Sequence, residues 1–267
     1  MEEFNISRCA IVITKRCTLK CKLCGDYIPY IENPKDLEFS IFKEIVDKLF
    51  KYTDHFGDFS LSGGEPLMHK NFSTLLEYVL EFKEKYDRLL ILTNGTLLPN
   101  KDTINIIKEH GIDKVQFNIS NYGKVSQNVD KLVKLLESNG IKHREIKYFG
   151  EDSWCGGWVD YGNHAQKFFT EEEVKENAKQ CTFRKGFDSL CVYEDGIFKC
   201  GRAHRRMNLG IIPKNTEEYI DILSDISCDD FRRVIKNIQT APYSTSCKYC
   251  HGLNDNQKRY PAAEQID

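Results

Sequence analysis

The chain has no excess of charge of either sign, with 38 basic and 40 acidic residues and a formal net charge of -2. Binding to a phosphate backbone normally needs a strongly basic surface, so this balance argues against nucleic acid as a partner. No stretch approaches the roughly 18 apolar residues that span a bilayer. The amino-terminal Met-Glu-Glu-Phe also lacks the basic and apolar regions of a signal peptide. These absences predict a cytoplasmic protein without a membrane partner.

The chain has no internal repeat and no low-complexity tract, and its 267 residues suit one large α/β core with a small extension. Cysteine, in contrast, is abundant, with 11 copies. Disulfides are rare in the cytoplasm because thiols there are kept reduced. Ligation of a metal or an iron–sulfur cluster is therefore the leading interpretation, and burial as a small apolar side chain is the alternative for each cysteine.

Strand-like and helix-like patterns alternate through the first 150 residues. Runs of β-branched and apolar residues predict strands at Cys9–Thr14, Asp58–Ser62, Leu89–Thr93, Lys114–Ile119 and Lys142–Tyr148. Amphipathic spacing predicts helices at Phe39–Tyr52, Asn71–Lys85, Lys101–Glu109 and Val125–Ser138. Such alternation implies a parallel sheet wrapped by helices, and right-handed crossovers would curl it into a partial barrel. The loops that follow the strands should then carry the chemistry.

The alternation stops after Gly150, where we place a domain boundary between residues 1–150 and 151–267. The loop at 154–164 is rich in glycine and aromatic residues. Beyond it the sequence predicts a helix near Glu171–Lys179 and a hairpin of Leu190–Tyr193 and Ile197–Cys200. The predicted fold class is therefore α/β, with a small C-terminal domain beside the main core.

Three cysteines with the spacing Cys17-x3-Cys21-x2-Cys24 follow the first predicted strand directly. Three thiolates can hold a four-iron cluster and leave one iron free for an external chelating ligand. The amino and carboxylate groups of S-adenosylmethionine (AdoMet) suit that iron. A zinc site is the alternative, although zinc normally takes four protein ligands.

This spacing resembles the cluster-binding signature of the radical AdoMet (radical SAM) superfamily, which stands at the end of the first barrel strand. The segment after the second strand is similar to the family's GGEP motif, whose backbone groups and glutamate hydrogen-bond the AdoMet amino group; it comprises Gly63, Gly64, Glu65 and Pro66. Four residues after the third strand and in the fourth resemble further AdoMet contacts of the family, with capping and turn formation as their alternative. These four are Thr93, Asn94, Asn118 and Ser120.

The resemblance implies a partial (β/α)6-type barrel with a 4Fe-4S cluster and AdoMet as cofactors. The reduced cluster would cleave AdoMet to methionine and a 5′-deoxyadenosyl radical, which abstracts hydrogen from a substrate. An external electron donor such as flavodoxin or ferredoxin is implied as a partner.

A second set of cysteines lies in the C-terminal part of the chain. Cys247-x2-Cys250 has a spacing typical of ligands, and Cys181 and Cys200 would complete a set of four thiolates around one centre. Both a structural zinc ion and an iron–sulfur cluster accept four cysteines. Cys191 is an alternative to Cys181. The arrangement resembles the twitch domain of radical SAM enzymes, as in the butirosin-type aminocyclitol dehydrogenases, and this resemblance implies a second, auxiliary 4Fe-4S cluster.

Cys9, Cys155 and Cys228 remain, and burial is their leading interpretation. A hydrogen-donor role is a further hypothesis for Cys155 or Cys191. No motif identifies a catalytic residue. The candidates lie in the aromatic loop and the predicted hairpin: Cys155, Asp160, Tyr161, His164 and Cys191.

The first of three candidate functions is radical chemistry on a small, carbohydrate-like molecule, with oxidation or epimerisation at an alcohol carbon. Aromatic residues of the 154–164 loop suit stacking on a sugar face, with core packing as the alternative, and they are Trp154, Trp158 and Tyr161. A phosphate or nucleotide handle on the sugar would suit a basic run whose alternative is a solvated face. That run comprises Arg202, His204, Arg205 and Arg206.

The second candidate function is modification of a ribosomally made peptide. Many such maturases carry a leader-binding domain before the cysteine loop or two auxiliary clusters. We expect neither, because only 16 residues precede Cys17 and the later cysteines suit one cluster. The third candidate is a zinc-binding interaction module without enzyme activity. The sequence favours the first function.

Overall fold

One eight-stranded sheet organises the protein, whose computed structural model describes residues 3–162, 164–185 and 189–266. Asn163, in the predicted aromatic loop, lies outside the described residues. The strands are β1 (Asn5–Thr14), β2 (His55–Gly63), β3 (Tyr86–Thr93), β4 (Val115–Asn121), β5 (Lys142–Lys147), β6 (Ser189–Tyr193), β7 (Gly196–Phe198) and β8 (Tyr219–Ile220).

The strand order is β5-β4-β3-β2-β1-β6-β7-β8. The pairs from β5 to β6 are all parallel, and β7 and β8 add antiparallel strands at one edge. The predicted parallel α/β sheet is therefore confirmed. The predicted hairpin also exists, but β6 pairs directly with β1 and so continues the core sheet. The domain boundary at residue 150 stays a prediction.

Eight α-helices accompany the sheet in the described part of the chain. They are α1 (Phe39–Tyr52), α2 (Phe72–Leu80), α3 (Lys101–Ile106), α4 (Val129–Ser138), α5 (Glu171–Gln180), α6 (Thr182–Lys185), α7 (Gly201–Asn208) and α8 (Cys228–Thr240). The range predicted for α1 is confirmed residue for residue. Its buried side chains recur at helical spacing and pack on the sheet, as in Phe42, Ile45, Val46 and Leu49.

Three helices are shorter in the structure than the sequence predicts. α2 ends at Leu80 before a separate 3-10 turn, α3 passes at Ile107 into a short π-helix, and α4 begins only at Val129. The apolar pattern runs on because the adjoining turns also bury side chains such as Ile107. Within the described ranges, no helix combines the length and apolar character needed to cross a membrane.

Candidate functional site

The loop after β1 brings Cys17, Cys21 and Cys24 to the border of a cavity of about 170 Å³. Gly63, Gly64 and other residues from the ends of neighbouring strands close the cavity, and all three cysteines are free thiols. Burial raises the pKa of the Cys21 thiol to about 11 and that of Cys24 to about 12. Binding of a metal centre by these thiols would release their protons, because the thiolate is the ligating form.

The two glycines after β2 pass so close to β1 that side chains would collide with its backbone. A Cβ on Gly63 would lie 2.3 Å from the Thr14 carbonyl oxygen, and one on Gly64 would lie 2.2 Å from that of Arg16. Gly63 also has φ +145°, which disfavours other residues. The Gly64 amide donates to Thr14 O at 3.0 Å. This motif therefore clamps the start of the cysteine loop.

Glu65 lies behind the cavity wall and is fully buried. Its carboxylate accepts hydrogen bonds from the backbone amides of Leu67 and Asn94 and from the Thr93 hydroxyl. Burial raises the pKa of this carboxyl to about 7, against the opposing effect of these donors. Pro66 is buried in the following turn. Glu65 thus joins the loop after β2 to the end of β3.

Asn94 reaches from the end of β3 to the cysteine loop. Its side-chain amide donates to Cys17 Sγ at 3.5 Å and to Thr18 Oγ1 at 3.1 Å. Ser120, in β4, borders the larger cavity described next, whereas Asn118 accepts a hydrogen bond from Gln116 and does not border it. The structure therefore brings Thr93, Asn94 and Ser120 to the site but not Asn118.

A larger cavity of about 440 Å³ opens over the carboxyl ends of the parallel strands. It extends from Gly63, Gly64 and Asn94 to Cys200 and Arg202 near the second cysteine set. Polar and aromatic side chains line it between these ends. This volume lies within the range of about 300–1,000 Å³ that is typical of ligand pockets.

Three of the five candidate catalytic residues border the large cavity, namely Cys155, Tyr161 and Cys191. Cys155 is exposed with φ +53°, so its predicted burial is wrong. Cys155 stands in a single 3-10 turn, Trp154–Gly156, where its own backbone angles are not helical, and the sequence does not show this local geometry. Asp160 is exposed and accepts a hydrogen bond from the Gly162 amide, as in a turn. His164 packs on the Tyr27 ring, away from the cavity lining.

The aromatic residues Trp154 and Trp158 also border the large cavity. Trp158 packs edge-on against Tyr122, and its backbone pairs with Tyr260 in both directions at 2.8 and 2.9 Å. Each of these two rings therefore packs on a neighbouring tyrosine ring and also faces the cavity.

Cys181, Cys200, Cys247 and Cys250 border a separate, smaller cavity. Cys191 does not line it. Gly252 brings the first and last of the four together: its amide donates to Cys250 Sγ at 3.2 Å, and a Cβ on it would lie 3.2 Å from Cys181 Sγ. No three His, Cys, Asp or Glu side chains within the described residues lie close enough to bind one metal ion. The first set borders the cavity of about 170 Å³ described above, whereas the four cysteines of the second set border a space of only about 30 Å³.

Three members of the basic run in α7, Arg202, His204 and Arg206, are buried and Arg205 is half-buried, so the solvated face considered from the sequence is wrong for the run. Arg206 is fully buried and donates to Ser246 and Tyr249 in the loop that carries Cys247 and Cys250. His204 stacks on the Tyr193 ring at 3.6 Å between centroids. The sequence shows that these residues are charged but not that they are buried. They are buried because the C-terminal loop that carries Cys247 and Cys250 covers the helix.

Arg202 lies between the large cavity and the space of the second cysteine set and borders both. Its guanidinium packs 4.8 Å from the Tyr161 ring centroid and 4.2 Å from that of Phe183. Burial opposes ionisation of Cys200, but the positive charge of Arg202, a hydrogen bond from the Ala203 backbone and the charge of Arg206 together outweigh it and lower the pKa of this thiol. This end of the site therefore favours negative charge.

A match to a known sequence family shows which family the chain belongs to. Residues 11–143 match the sequence family described as the radical SAM superfamily. The chain belongs to the radical SAM superfamily. The family predicted from the cysteine loop and the Gly-Gly-Glu-Pro motif is thus confirmed, and radical SAM membership implies a 4Fe-4S cluster and AdoMet as cofactors.

Two curated relatives match the chain over part of their length. The tungsten-containing aldehyde ferredoxin oxidoreductase cofactor-modifying protein of Pyrococcus furiosus is 30% identical over 173 residues, which cover 63% of this chain and 44% of the relative. The antilisterial bacteriocin subtilosin biosynthesis protein AlbA of Bacillus subtilis is 28% identical over 160 residues, which cover 53% of this chain and 33% of the relative. The match thus spans less than half the length of either relative.

A solved radical SAM structure matches nearly the whole chain. The crystal structure of BtrN in complex with AdoMet and 2-DOIA shares the fold with a TM-score of 0.55, 16% identity, and coverage of 97% of this chain and 99% of that chain. At this identity the likeness concerns the fold alone. It confirms the predicted partial radical SAM barrel.

Three residues of this radical SAM site were missed from the sequence. Asp26 and Tyr193 both border the large cavity, and the Tyr193 hydroxyl donates to Asp26 Oδ1 at 3.2 Å. Gln265 donates to Cys21 Sγ at 3.4 Å. Asp26 was detectable, since it stands two positions after Cys24. Gln265 was not, because nothing in a sequence relates two positions 244 residues apart.

Proposed function

We propose that this radical SAM protein holds a 4Fe-4S cluster on Cys17, Cys21 and Cys24, cleaves AdoMet reductively and abstracts hydrogen from a small, carbohydrate-like substrate. One observation carries the proposal: a single cavity of about 440 Å³ runs from the Gly-Gly motif beside the cysteine loop to Cys200 of the second set. A substrate in this cavity would lie between the proposed AdoMet site at one end and Cys200 of the second cysteine set at the other.

The first cysteine set fits a four-iron cluster in its chemistry. Three thiols face one cavity, and the Asn94 amide donates toward one of them. When bound, the cluster and AdoMet together supply a carbon radical that abstracts hydrogen. The chain's own residues bind and orient: Gly63 and Gly64 expose backbone at both cavities, and Glu65 fixes the Asn94 backbone from behind. In this proposal Glu65 positions the AdoMet site without touching AdoMet.

For the second set, we propose an auxiliary 4Fe-4S cluster on Cys181, Cys200, Cys247 and Cys250. Two observations support this ligand choice. The four thiols border one space, whereas Cys191 faces the large cavity. Arg202 and Arg206 also place positive charge next to Cys200, which favours an anionic centre.

For the substrate, we propose a hydroxylated molecule that lies between Asp26 and Arg202. Both side chains border the large cavity, as do Trp154 and Tyr161. The Asp26 carboxylate can accept the proton of a substrate hydroxyl, and the Tyr193 hydroxyl holds that carboxylate in place. The structure of BtrN with AdoMet and 2-DOIA supports a small-molecule substrate for this fold. Flavodoxin or ferredoxin is proposed as electron donor.

Oxidation and epimerisation remain the two reaction candidates. Oxidation uses the Cys200 end of the cavity, where an electron can leave the substrate. Epimerisation needs a hydrogen donor, and Cys191 and Cys155 both border the cavity. Deuterium tracing separates the two, because epimerisation returns solvent hydrogen to the same carbon and oxidation leaves a carbonyl.

Peptide modification is the second candidate function. The similarity to the subtilosin biosynthesis protein AlbA favours it. Its test is the same product analysis: a modified peptide, obtained when candidate precursor peptides are offered beside hydroxylated small molecules, would reject the small-molecule proposal.

The central experiment compares cysteine variants after anaerobic reconstitution. Replacing Cys17, Cys21 and Cys24 by alanine together should abolish dithionite-dependent 5′-deoxyadenosine formation and remove about half of the iron, because each four-iron cluster carries half of it. Cys250→Ala should retain 5′-deoxyadenosine formation but lose oxidised product. Cys228→Ala, in α8 and outside both cavities, is the control. Full cleavage by the triple variant, or zinc in place of iron and sulfide, would refute the assignment.

A further inference from the structure

The last described residues of the chain pair with the cysteine loop through an isolated antiparallel bridge. The Lys22 amide donates to Glu264 O at 2.7 Å, the Ile266 amide donates to Lys20 O at 2.8 Å, and Cys21 and Gln265 form an antiparallel bridge. Ala263 is buried beside Cys21. The segment at 263–266 therefore covers one side of the loop that carries the first three cysteines.

Within this segment, the Gln265 side chain is held in one orientation by its partners. Its Oε1 accepts from the Lys20 backbone amide at 2.8 Å. Its Nε2 donates to Ala263 O at 2.7 Å and to Cys21 Sγ at 3.4 Å. Because a backbone donor and a backbone acceptor fix the two ends of the amide, the N–H group is directed at the sulfur.

We propose that Gln265 is a positioning residue of the cluster: it holds the loop through Lys20 and raises the reduction potential of the cluster through its hydrogen bond to Cys21 Sγ. Reduction adds negative charge that is shared with the ligand sulfurs, so an N–H donor stabilises the reduced state more than the oxidised state. Hydrogen bonds to sulfur are among the known determinants of cluster potential. The inference rests on the proposed ligation by Cys21.

The neighbouring side chains provide a matched set of variants. Gln265→Glu keeps the size and the oxygen that accepts from Lys20 but removes the N–H donor. Gln265→Ala removes both interactions. Glu264→Gln changes the adjacent, exposed side chain, whose partner is Lys22, and leaves the backbone pairing in place. Gln265→Glu also adds a negative charge, so a change found in the uncharged Gln265→Ala variant and not at position 264 belongs to the sulfur hydrogen bond or to the Lys20 contact.

The test uses the full-length, reconstituted protein with iron and sulfide assays and an electron paramagnetic resonance redox titration. The cluster whose signal changes on addition of AdoMet is the one followed. We expect both Gln265 variants to titrate at a more negative potential than the wild type and Glu264→Gln. Loss of the AdoMet-responsive signal in the Gln265 variants alone would also support the inference.

Two negative outcomes are distinguishable. Equal potentials in all four proteins, with full iron and sulfide, would overturn the role of Gln265 and leave the proposed function intact. A wild-type protein without any AdoMet-responsive cluster would overturn the proposed function itself.

Discussion

At the scale of single residues, Gly64 has the least room for change. A methyl group there would lie 2.2 Å from Arg16 O and 2.9 Å from Cys17 Cβ, so the cysteine loop would have to move. We expect Gly64→Ala to lose the AdoMet-responsive cluster, measured as a fall of about half in iron content if each centre holds four irons.

The control for this change is Gly140→Ala, whose Cβ would meet nothing within 4 Å. Gly140 has φ +67°, so the control carries the cost of a left-handed residue, about 1–2 kcal/mol, without a clash at the cluster loop. Equal iron loss in both variants would attribute the effect to general instability.

Glu65 makes the stability of the protein depend on pH. The carboxyl has a pKa of about 7 in the folded chain, above the value of 4.5 for an unperturbed glutamic acid. The folded state thus binds the proton more tightly, and the free energy of unfolding falls as pH rises from about 4.5 to about 7. The contribution is on the order of 3 kcal/mol, from about 1.4 kcal/mol per pH unit. We expect Glu65→Gln to lose this dependence.

The measurement is the difference in unfolding free energy between wild type and variant across this pH range, which cancels other titrating groups. Glu77→Gln, an exposed change on α2, is the control and should follow the wild type. A wild-type curve parallel to that of Glu65→Gln would show that folding does not raise the pKa of Glu65.

At the scale of elements, α5 holds the second cysteine set from one side. Its carboxyl end is capped by Cys181, and Asn177 donates to Cys250 O at 2.8 Å. Thr170 and Glu173 form a capping box at its amino end. We expect Thr170→Ala to lower stability by about 1 kcal/mol and to speed the loss of auxiliary iron to a chelator.

Ser227→Ala is the matched control for this prediction. Ser227 caps α8 through a 3.1 Å hydrogen bond from the Asp230 amide. Its loss should cost a similar amount of stability, measured by urea unfolding, with no effect on auxiliary iron. If the two variants lose auxiliary iron to the chelator at the same rate, α5 does not stabilise the second cysteine set.

The elements also show what the sequence can and cannot predict. The boundaries of α1 follow from the spacing of Phe42, Ile45 and Leu49, because one local stripe decides them. The cysteine loop and the Gly-Gly motif are local as well. The pairing of Gln265 with Cys21 joins distant residues through a single bridge. Such a contact leaves no periodic pattern in the sequence from which it could be predicted. The burial of Arg206 likewise depends on a loop 40 positions further along the chain.

At the scale of the whole molecule, one cavity connects the loop of the first cysteine set with Cys200 of the second set. The first set follows β1, and Cys200 follows the hairpin whose strand β6 pairs in parallel with β1. Because β7 runs antiparallel to β6, Cys200 lies towards the amino end of β6, away from the carboxyl end of β1 that the first set follows. The large cavity fills the space between them.

Arg202 tests whether this connection matters for the reaction. Its guanidinium borders both the large cavity and the space of the second set, and it packs on Tyr161 and Phe183. If a substrate oxygen binds there, Arg202→Gln loses a charge-assisted hydrogen bond worth about 1.5–3 kcal/mol. We expect the amount of product formed per 5′-deoxyadenosine to fall about ten- to hundredfold while AdoMet cleavage and total iron are retained.

Arg205→Gln is the control, because Arg205 belongs to the same helix but borders neither cavity. Arg202→Lys adds a second comparison: it keeps the charge but loses the planar group that stacks on the rings, and a partial recovery of coupling is expected. The readout is the ratio of product to 5′-deoxyadenosine, which a general loss of stability would leave unchanged because both are made by the folded fraction. An unaltered ratio in Arg202→Gln would place substrate binding elsewhere in the cavity and remove Arg202 from the path between the two cysteine sets.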